Sequence, residues 1–398
     1  MDRKKNILMI CSWFDPKTGI GSFFWEQAKF MTPDFNMVLC VFSSTNYGIR
    51  NFHKFFTHDI VSTDKAPNGL LVLKFNYPQF AYGNEQTNLN LLKSSLRKFQ
   101  IYLEEEEIPI DLVHAQSLCS AGIMAQYFYE ETGIPFVFTE HDQFNFKSIT
   151  PTNKKVIDRI FLNDFDKIMV SHDKIRQFFS NRLFADFIVV GNTIDDEIFN
   201  YREKNRNDSV FKILTIGAHS PFKDQDTLLK ALSILDSTFS GRKIEFIWLG
   251  YNGWGKDNTV EVQDLLDKFP FENIEVTSKA KVGRLEIKDY LQDADLFLLT
   301  SIAEGMPVSA MEALACGIPV CSTRCGGVDE LIDESNGGLF QIKDYSSIGK
   351  FIVDFYLDIY KVDNKKISED FIQKWGKRSF KNKVGEIYNS MIAKHAQK

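Results

Sequence analysis

DLFLLTSIAEGMPVSAMEALACGIPV, residues 295–320, is the stretch on which the fold turns. Its apolar run, Leu296 to Leu299, suits a strand buried in a parallel sheet. Glycine and proline follow, and then a short helical pattern. A strand that passes through a glycine turn into a helix leaves N–H groups at the helix start without intrahelical partners, so that start can bind an anion. Glu304 stands at the strand exit, and Glu312 lies inside the helix.

Glu312 is the harder residue to place. Its neighbours at helical spacing, Val308, Ser309, Ala315 and Cys316, offer no cation. Burying an unpaired carboxylate costs several kcal/mol, on the order of a lost hydrogen-bonded charge or more. Three readings stand open: a basic residue distant in sequence, a bound ligand rich in hydroxyls, or a side chain that reaches solvent from a surface helix.

A chain of 398 residues exceeds what one hydrophobic core usually organises, and at roughly 100 to 200 residues per domain it predicts two. The apolar fraction of 44% and charged fraction of 25% exclude disordered and collagen-like classes. A net charge of -6 argues against a nucleic-acid binder that works by neutralising phosphates. The acidic run Glu104 to Glu107 reads as a solvated helix end. Six cysteines, Cys11, Cys40, Cys119, Cys316, Cys321 and Cys325, form no Cys-x-x-Cys pair, so they read as reduced core thiols of a cytosolic protein. The basic Arg3, Lys4 and Lys5 precede an apolar run too short for a signal peptide and without a small-residue cleavage site. With no apolar run of about 18 residues, membrane contact can only be peripheral.

Short apolar runs alternate with helical patterns along the whole chain, which predicts parallel sheets joined by crossover helices. In the first half the strands fall near residues 7–11, 37–42, 70–75, 112–115, 136–139, 168–171 and 187–190, with helices such as 22–31 and 89–103. The polar stretch 195–208 has no apolar period and reads as a linker. A second series follows: strands at 212–216, 244–249, 274–276, 296–299 and 319–322, helices at 227–235 and 261–269. The expected architecture is α/β, two Rossmann-like doubly wound domains facing each other across a cleft. Its boundaries are an N-terminal, acceptor-side domain 1–195, a linker 196–208, a donor-binding domain 209–375, and a C-terminal helix 376–398. The amphipathic pattern 369–393 is expected to cross back over the first domain.

Ligands of such sheets bind outside the carboxyl ends of the strands. Gly19 and Gly21 lie between the first strand and first helix, where glycine lets backbone N–H groups approach an anion. A dinucleotide fingerprint would need glycine or alanine at Phe24 and a tighter turn, so a nicotinamide dehydrogenase gains little support. Lys223, in the matching turn of the second half, offers a point charge for a phosphate, with an ordinary surface lysine as the alternative. His141 follows an apolar strand and can position a hydroxyl or stabilise developing charge, or else bond locally in its loop. His114, inside a strand, reads as structural. Asp293 with Asp295, and Asp164 with Asp166, have metal-like spacing but read more simply as polar caps, so no metal is expected.

Six segments in order, Lys281-Val-Gly-Arg284, Tyr290 to Asp295, Glu304-Gly-Met-Pro307, Glu312 to Val320, Gly326 to Glu330 and Asn336-Gly-Gly338, resemble the retaining glycosyltransferases of family 4, the glycosyl transferases group 1. Weaker echoes occur at Gly19 and Gly21, at 111–115, at 133–141, at 190–195, at Lys223 and at Trp375. The resemblance implies the GT-B fold and transfer of a sugar from a nucleotide diphosphate donor to an acceptor hydroxyl, with the anomeric configuration kept. It implies that Glu304 bonds the donor sugar's hydroxyls and Glu312 the nucleotide ribose. By the same analogy the amides of Gly305, Met306, Pro307, Val308, Ser309 and Gly21 meet sugar and diphosphate, Lys223 neutralises the leaving phosphate, and His141 sits beside the reacting carbon. Many family members carry an arginine near Gly217, where this chain has Ala218 and His219.

The expected function is therefore a metal-independent hexosyltransferase without a cofactor, using a UDP-sugar as donor. It acts on a glycan or glycolipid acceptor in surface polysaccharide or glycolipid biosynthesis. It is expected in the cytoplasm, with peripheral contact at the inner face of the membrane and no nucleic acid partner. A nucleotide-sugar 2-epimerase and a catalytically silent nucleotide-sugar binder are the alternatives.

Overall fold

The computed structural model describes residues 3–14, 21–47, 61–80, 85–141, 149–204, 209–238, 241–252 and 257–396. Two units emerge, Met1–Val190 with Phe380–Lys398, and Gly191–Ser379. Each is built on one sheet of buried apolar strands with helices packed on its faces, the arrangement that near-continuous runs such as Ile7 to Cys11 require.

In the first unit the elements run β1 (Lys5–Cys11), α1 (Ser22–Met31), β2 (Phe35–Tyr47), β3 (Val61–Lys65), β4 (Leu71–Phe80), α2 (Glu85–Glu105), β5 (Leu112–Gln116), a π-helical turn (Leu118–Gly122), α3 (Ile123–Thr132), β6 (Phe136–Glu140), α4 (Pro151–Leu162), β7 (Lys167–Met169), α5 (His172–Ser180) and β8 (Phe187–Val189). The sheet order is β3-β4-β2-β1-β5-β6-β7-β8. All neighbours are parallel except β3 and β4. Register is set by pairs such as Cys11 with Val41 and Cys11 with Gln116, which bring the carboxyl ends of β1 and β5 level, while β2 runs on to Tyr47.

The second unit holds β9 (Val210–Ile216), α6 (Gln225–Asp236), β10 (Lys243–Leu249), α7 (Thr259–Leu266), β11 (Ile274–Lys279), α8 (Arg284–Asp293), β12 (Leu296–Leu299), α9 (Val308–Ala315), β13 (Val320–Thr323), β14 (Gly337–Phe340), α10 (Tyr345–Tyr356) and α11 (Asn364–Trp375). The sheet is parallel throughout, in the order β11-β10-β9-β12-β13-β14. The order reverses between β9 and β12, the place where doubly wound sheets open a crevice at their carboxyl edge. Lys223 follows β9, and Glu304 follows β12.

Several details depart from the sequence reading. Strand β3 is polar and antiparallel at the sheet edge, where one covered face is enough and apolar alternation fades. Strand β14 begins with two glycines, which carry no side chain to signal a strand. The single amphipathic pattern at 369–393 is two helices, α11 and then α12 (Lys377–Ala396), parted at Gly376. Residues 191–204 and 376–379 group with the second unit, so the stretch read as a linker is in part packed structure, with Asp195 and Phe199 buried. Residues 205–208 lie outside those described.

Helix α12 is fixed to the first sheet by a buried polar chain. His114 Nδ1 lies 2.6 Å from the Tyr388 hydroxyl, and Nε2 lies 2.7 Å from Thr139 Oγ1. Burial, aided by nearby His141, pushes the His114 pKa down to about 3. A neutral buried histidine contributes stability that is present above the unfolded value of 6.5 and is lost as pH falls toward 3. The structural reading of His114 follows from this packing. Tyr388→Phe is expected to lower stability by about 1–3 kcal/mol, because it strands a buried ring nitrogen. An unchanged denaturant midpoint for that variant would contradict the role.

Candidate functional site

Two clusters of polar residues gather at the carboxyl edges of the sheets, one in each unit. In the second unit the chain leaves β9 at Gly217 and reaches Lys223 through a loop held down at several points. Trp248 Nε1 donates to the Gly217 carbonyl at 2.9 Å, and His219 N–H to the Tyr251 carbonyl at 2.8 Å. Thr300 Oγ1, at the exit of β12, donates to the carbonyls of Lys223 and Asp224 at 3.1 and 3.0 Å. Ile302 N–H reaches the Phe222 carbonyl at 2.7 Å. The turns after β9 and β12 are therefore one stitched structure.

Across that seam Lys223 Nζ meets Glu304 Oε1 at 2.6 Å, and Ser301 Oγ donates to the same oxygen at 2.6 Å. The Lys223 ammonium also lies against Gly217, 3.7 Å from where a Cβ would sit. Glu304 is held from behind as well. Its N–H donates to the Cys325 carbonyl at 2.6 Å, and the Gly305 carbonyl accepts from Gly327 N–H at 3.0 Å. Gly326, between those partners, has φ 126°, a backbone state that a side chain would strain. The result is a carboxylate and an ammonium in contact, both partly open to solvent, on a backbone with little freedom.

Helix α9 starts immediately beyond. Its first i to i−4 bond runs from Met311 N–H to the Pro307 carbonyl at 3.2 Å, and the helix positions before it have no acceptor within the helix. One correction to the sequence reading is chemical: Pro307 has no N–H, so it gives shape to the turn and cannot be among the amide donors. Met306 is buried, its carbonyl accepting from Asn192 Nδ2 at 2.9 Å. Gly305, Val308 and Ser309 complete the turn. A negative group brought here would meet the positive end of α9 and Lys223 together.

Glu312 is only 5% exposed, so the solvent-facing reading fails. Its partner is the distant basic residue: Arg284 Nη1 donates to Oε1 at 3.0 Å. The Arg284 guanidinium stacks over the Phe199 ring at 4.7 Å. Burial raises the Glu312 pKa, and the charge and hydrogen bond of Arg284 oppose that rise. Sequence reasoning quoted Arg284 in a motif without giving it a role. The usable signal was topological, since helices that follow the strands of one parallel sheet start on the same sheet edge.

The first unit holds the other cluster. Gly21 caps α1 with φ 71°, and a Cβ there would fall 2.4 Å from the Trp13 carbonyl oxygen, so only glycine fits. Gly19 lies outside the described residues. His141, buried at the end of β6, sits among Trp13, Phe23 and Phe24 at ring distances of 6.4, 5.3 and 5.7 Å. Its Nε2 lies 2.6 Å from Gln116 Oε1. The local-bonding alternative thus holds at Nε2, and Gln116 was not anticipated from sequence.

Asp295, immediately before β12, accepts from Lys212 N–H of β9 at 2.9 Å, while Asp293 pairs with Lys212 Nζ at 2.5 Å. Burial pushes the thiols of Cys11, Cys40, Cys316, Cys321 and Cys325 well above the usual range, as suits inert core residues. Among the described residues no helix is long and apolar enough to cross a membrane.

Comparison with known proteins bears on the family and the fold. The model of the family "Glycosyl transferases group 1" matches residues 210–358, and that of "Glycosyltransferase Family 4" matches residues 63–198. The chain is 24% identical over 234 residues to the uncharacterized glycosyltransferase MJ1178 of Methanocaldococcus jannaschii, covering 59% of this chain and 62% of that one. It is 23% identical over 338 residues to the phosphatidylinositol N-acetylglucosaminyltransferase GPI3 subunit of Saccharomyces cerevisiae, covering 82% and 70%. The chain therefore spans about two thirds of the length of these curated relatives. Among solved structures, Anabaena Alr3699/HepE in complex with UDP-glucose superposes with a TM-score of 0.69 at 16% identity, covering 97% of this chain and 99% of that one. The fold is GT-B, two parallel-sheet α/β domains.

Proposed function

Since the chain belongs to the group 1, family 4 glycosyltransferases, we propose that it transfers a sugar, with retention, from a nucleotide diphosphate sugar to the hydroxyl of a glycan or glycolipid. The observation that carries this reading is the contact of Lys223 with Glu304 at 2.6 Å beside the open start of α9. A diphosphate seated there meets an ammonium and unpaired N–H groups, while the carboxylate next to them accepts hydrogen bonds from sugar hydroxyls.

In the reaction the bond between the anomeric carbon and the β-phosphate oxygen breaks, and its electron pair leaves on the diphosphate. The acceptor oxygen bonds the same carbon, and its proton passes to the departing phosphate. Lys223 and the α9 amides take up the charge that grows on the leaving group, so the proposal assigns no step to a metal ion. His141, buried among three aromatic rings and bonded to Gln116, is proposed as a further sugar-contacting residue. Two comparisons support the chemistry: one similar structure was solved with UDP-glucose, and one relative is named for transfer to a phosphatidylinositol. UDP is accordingly the first nucleotide to test. A cytoplasmic site of action with peripheral membrane contact is part of the same proposal.

A ligand that binds only the folded state stabilises it by about 2.7 kcal/mol at a hundredfold excess over Kd. For a domain of this size that corresponds to a rise of about 5–10 °C in Tm. Thermal melting with UDP, GDP and ADP is expected to show such a rise for one of them. No rise with any of the three would remove the nucleotide diphosphate reading.

A further inference from the structure

Three features of Arg284 call for a common explanation. It is the first residue of α8, where a cation opposes the helix dipole and is mildly unfavourable. Its guanidinium ignores the carboxylate nearest in sequence, Glu286, which Lys279 takes at 2.6 Å. Instead it bonds Glu312, 28 residues away, at 3.0 Å and stacks on Phe199. A planar, always charged group clamped between a ring and one carboxylate oxygen has little freedom left.

The pairing is one-sided. Arg284 occupies Oε1, and among the described residues no other hydrogen bond reaches the Glu312 carboxylate. A carboxylate can accept at both oxygens, so one partner opposes protonation of the side chain while its second oxygen stays available. Resting on the assignment of Glu312 to the nucleotide ribose, we propose that Arg284 is a positioning residue that aims Oε2 of Glu312 at the ribose diol and thereby makes the site select ribonucleotides over deoxyribonucleotides. Arg284 itself need not touch the nucleotide. Its work is to hold the carboxylate in one rotamer and one charge state.

The test is a ratio of affinities on the full chain, measured by calorimetry with UDP and 2′-deoxy-UDP. A hydrogen bond to a charged group predicts that wild type favours UDP by about tenfold or more. In Arg284→Gln the ratio should fall toward one, with 2′-deoxy-UDP binding nearly unchanged. Glu312→Gln should lose the same selectivity, and the double variant should lose no more than either alone. Should Arg284→Gln fail to fold, the ratio is read on Arg284→Lys, which keeps the charge but not the planar fork, and it should drop partway.

A wild-type ratio in either arginine variant overturns the proposal. So does an equal loss of both ligands, which marks a merely structural role. A wild-type chain that binds UDP without distinguishing the deoxy analogue overturns the ribose assignment and this inference with it. If wild type binds GDP or ADP in place of UDP, the same ratio is read on that nucleotide and its 2′-deoxy analogue, and absence of binding by all three removes the donor reading above and this inference with it.

Discussion

Lys223→Ala is expected to cut sugar transfer by about a hundredfold or more, comparable to the loss of one preorganised contact to a developing charge. In the resting protein the ammonium is held by Glu304 at 2.6 Å, with Ser301 donating to the same oxygen. A lysine already aimed needs no reorganisation when the diphosphate departs, which is what makes such a contact effective. The charge it meets grows during bond breaking, so kcat should fall more than KM rises. Glu304→Gln should cost a similar factor, since the amide keeps the shape but loses the negative charge that holds Lys223 and one of the two acceptor oxygens offered to the sugar. Because the two residues act through one contact, Lys223→Ala with Glu304→Gln should lose far less than the product of the single effects. Release of nucleoside diphosphate from a sugar donor built on the nucleotide that raises the melting temperature measures all three variants. Unchanged turnover in both single variants would remove this mechanism, whereas an additive double variant would separate the two roles.

How much of this was legible in the sequence depends on whether the partners were local. Strand β12, the turn at Gly305 and the helix after it follow from the pattern of the twenty-six residues 295–320, because propensity and burial agree there. Lys223 was placed by analogy of position after β9, and the hydrogen bonds from Thr300 and Ile302 then show why a turn 77 residues earlier in the chain lands on the same seam. The sequence could not pair Glu312 with Arg284, nor His141 with Gln116, since each contact spans a crossover helix and leaves no periodic trace. Strand β14 escaped for a different reason: its Gly337 and Gly338 carry no apolar signal, and the pairing with β13 alone defines it. The break at Gly376 was hidden because α11 and α12 share an amphipathic period on either side of one glycine.

Arg284→Ala should destabilise the protein by about 3–5 kcal/mol near neutral pH, because it leaves a buried carboxylate without its counter-charge. The pH dependence carries the sharper signature. Burial already raises the Glu312 pKa above 4.5, with Arg284 acting against that rise, so removal of Arg284 lifts it further. For a carboxyl whose folded pKa lies above its unfolded value, the folded state binds more protons between the two values, and stability falls as pH rises through that window. Below about pH 4.5 Glu312 is neutral in both states, and the variant should lie close to wild type. Above it the gap between the two chains should widen until the folded pKa is passed, then level off. Glu312→Gln in the Arg284→Ala background removes the ionising group and should flatten that difference while recovering most of the neutral-pH loss. Denaturant midpoints for wild type, single and double variants between pH 4 and pH 8 decide the matter. A gap that stays constant across the range would mean that Arg284 stabilises through its packing on Phe199 rather than by compensating the Glu312 charge.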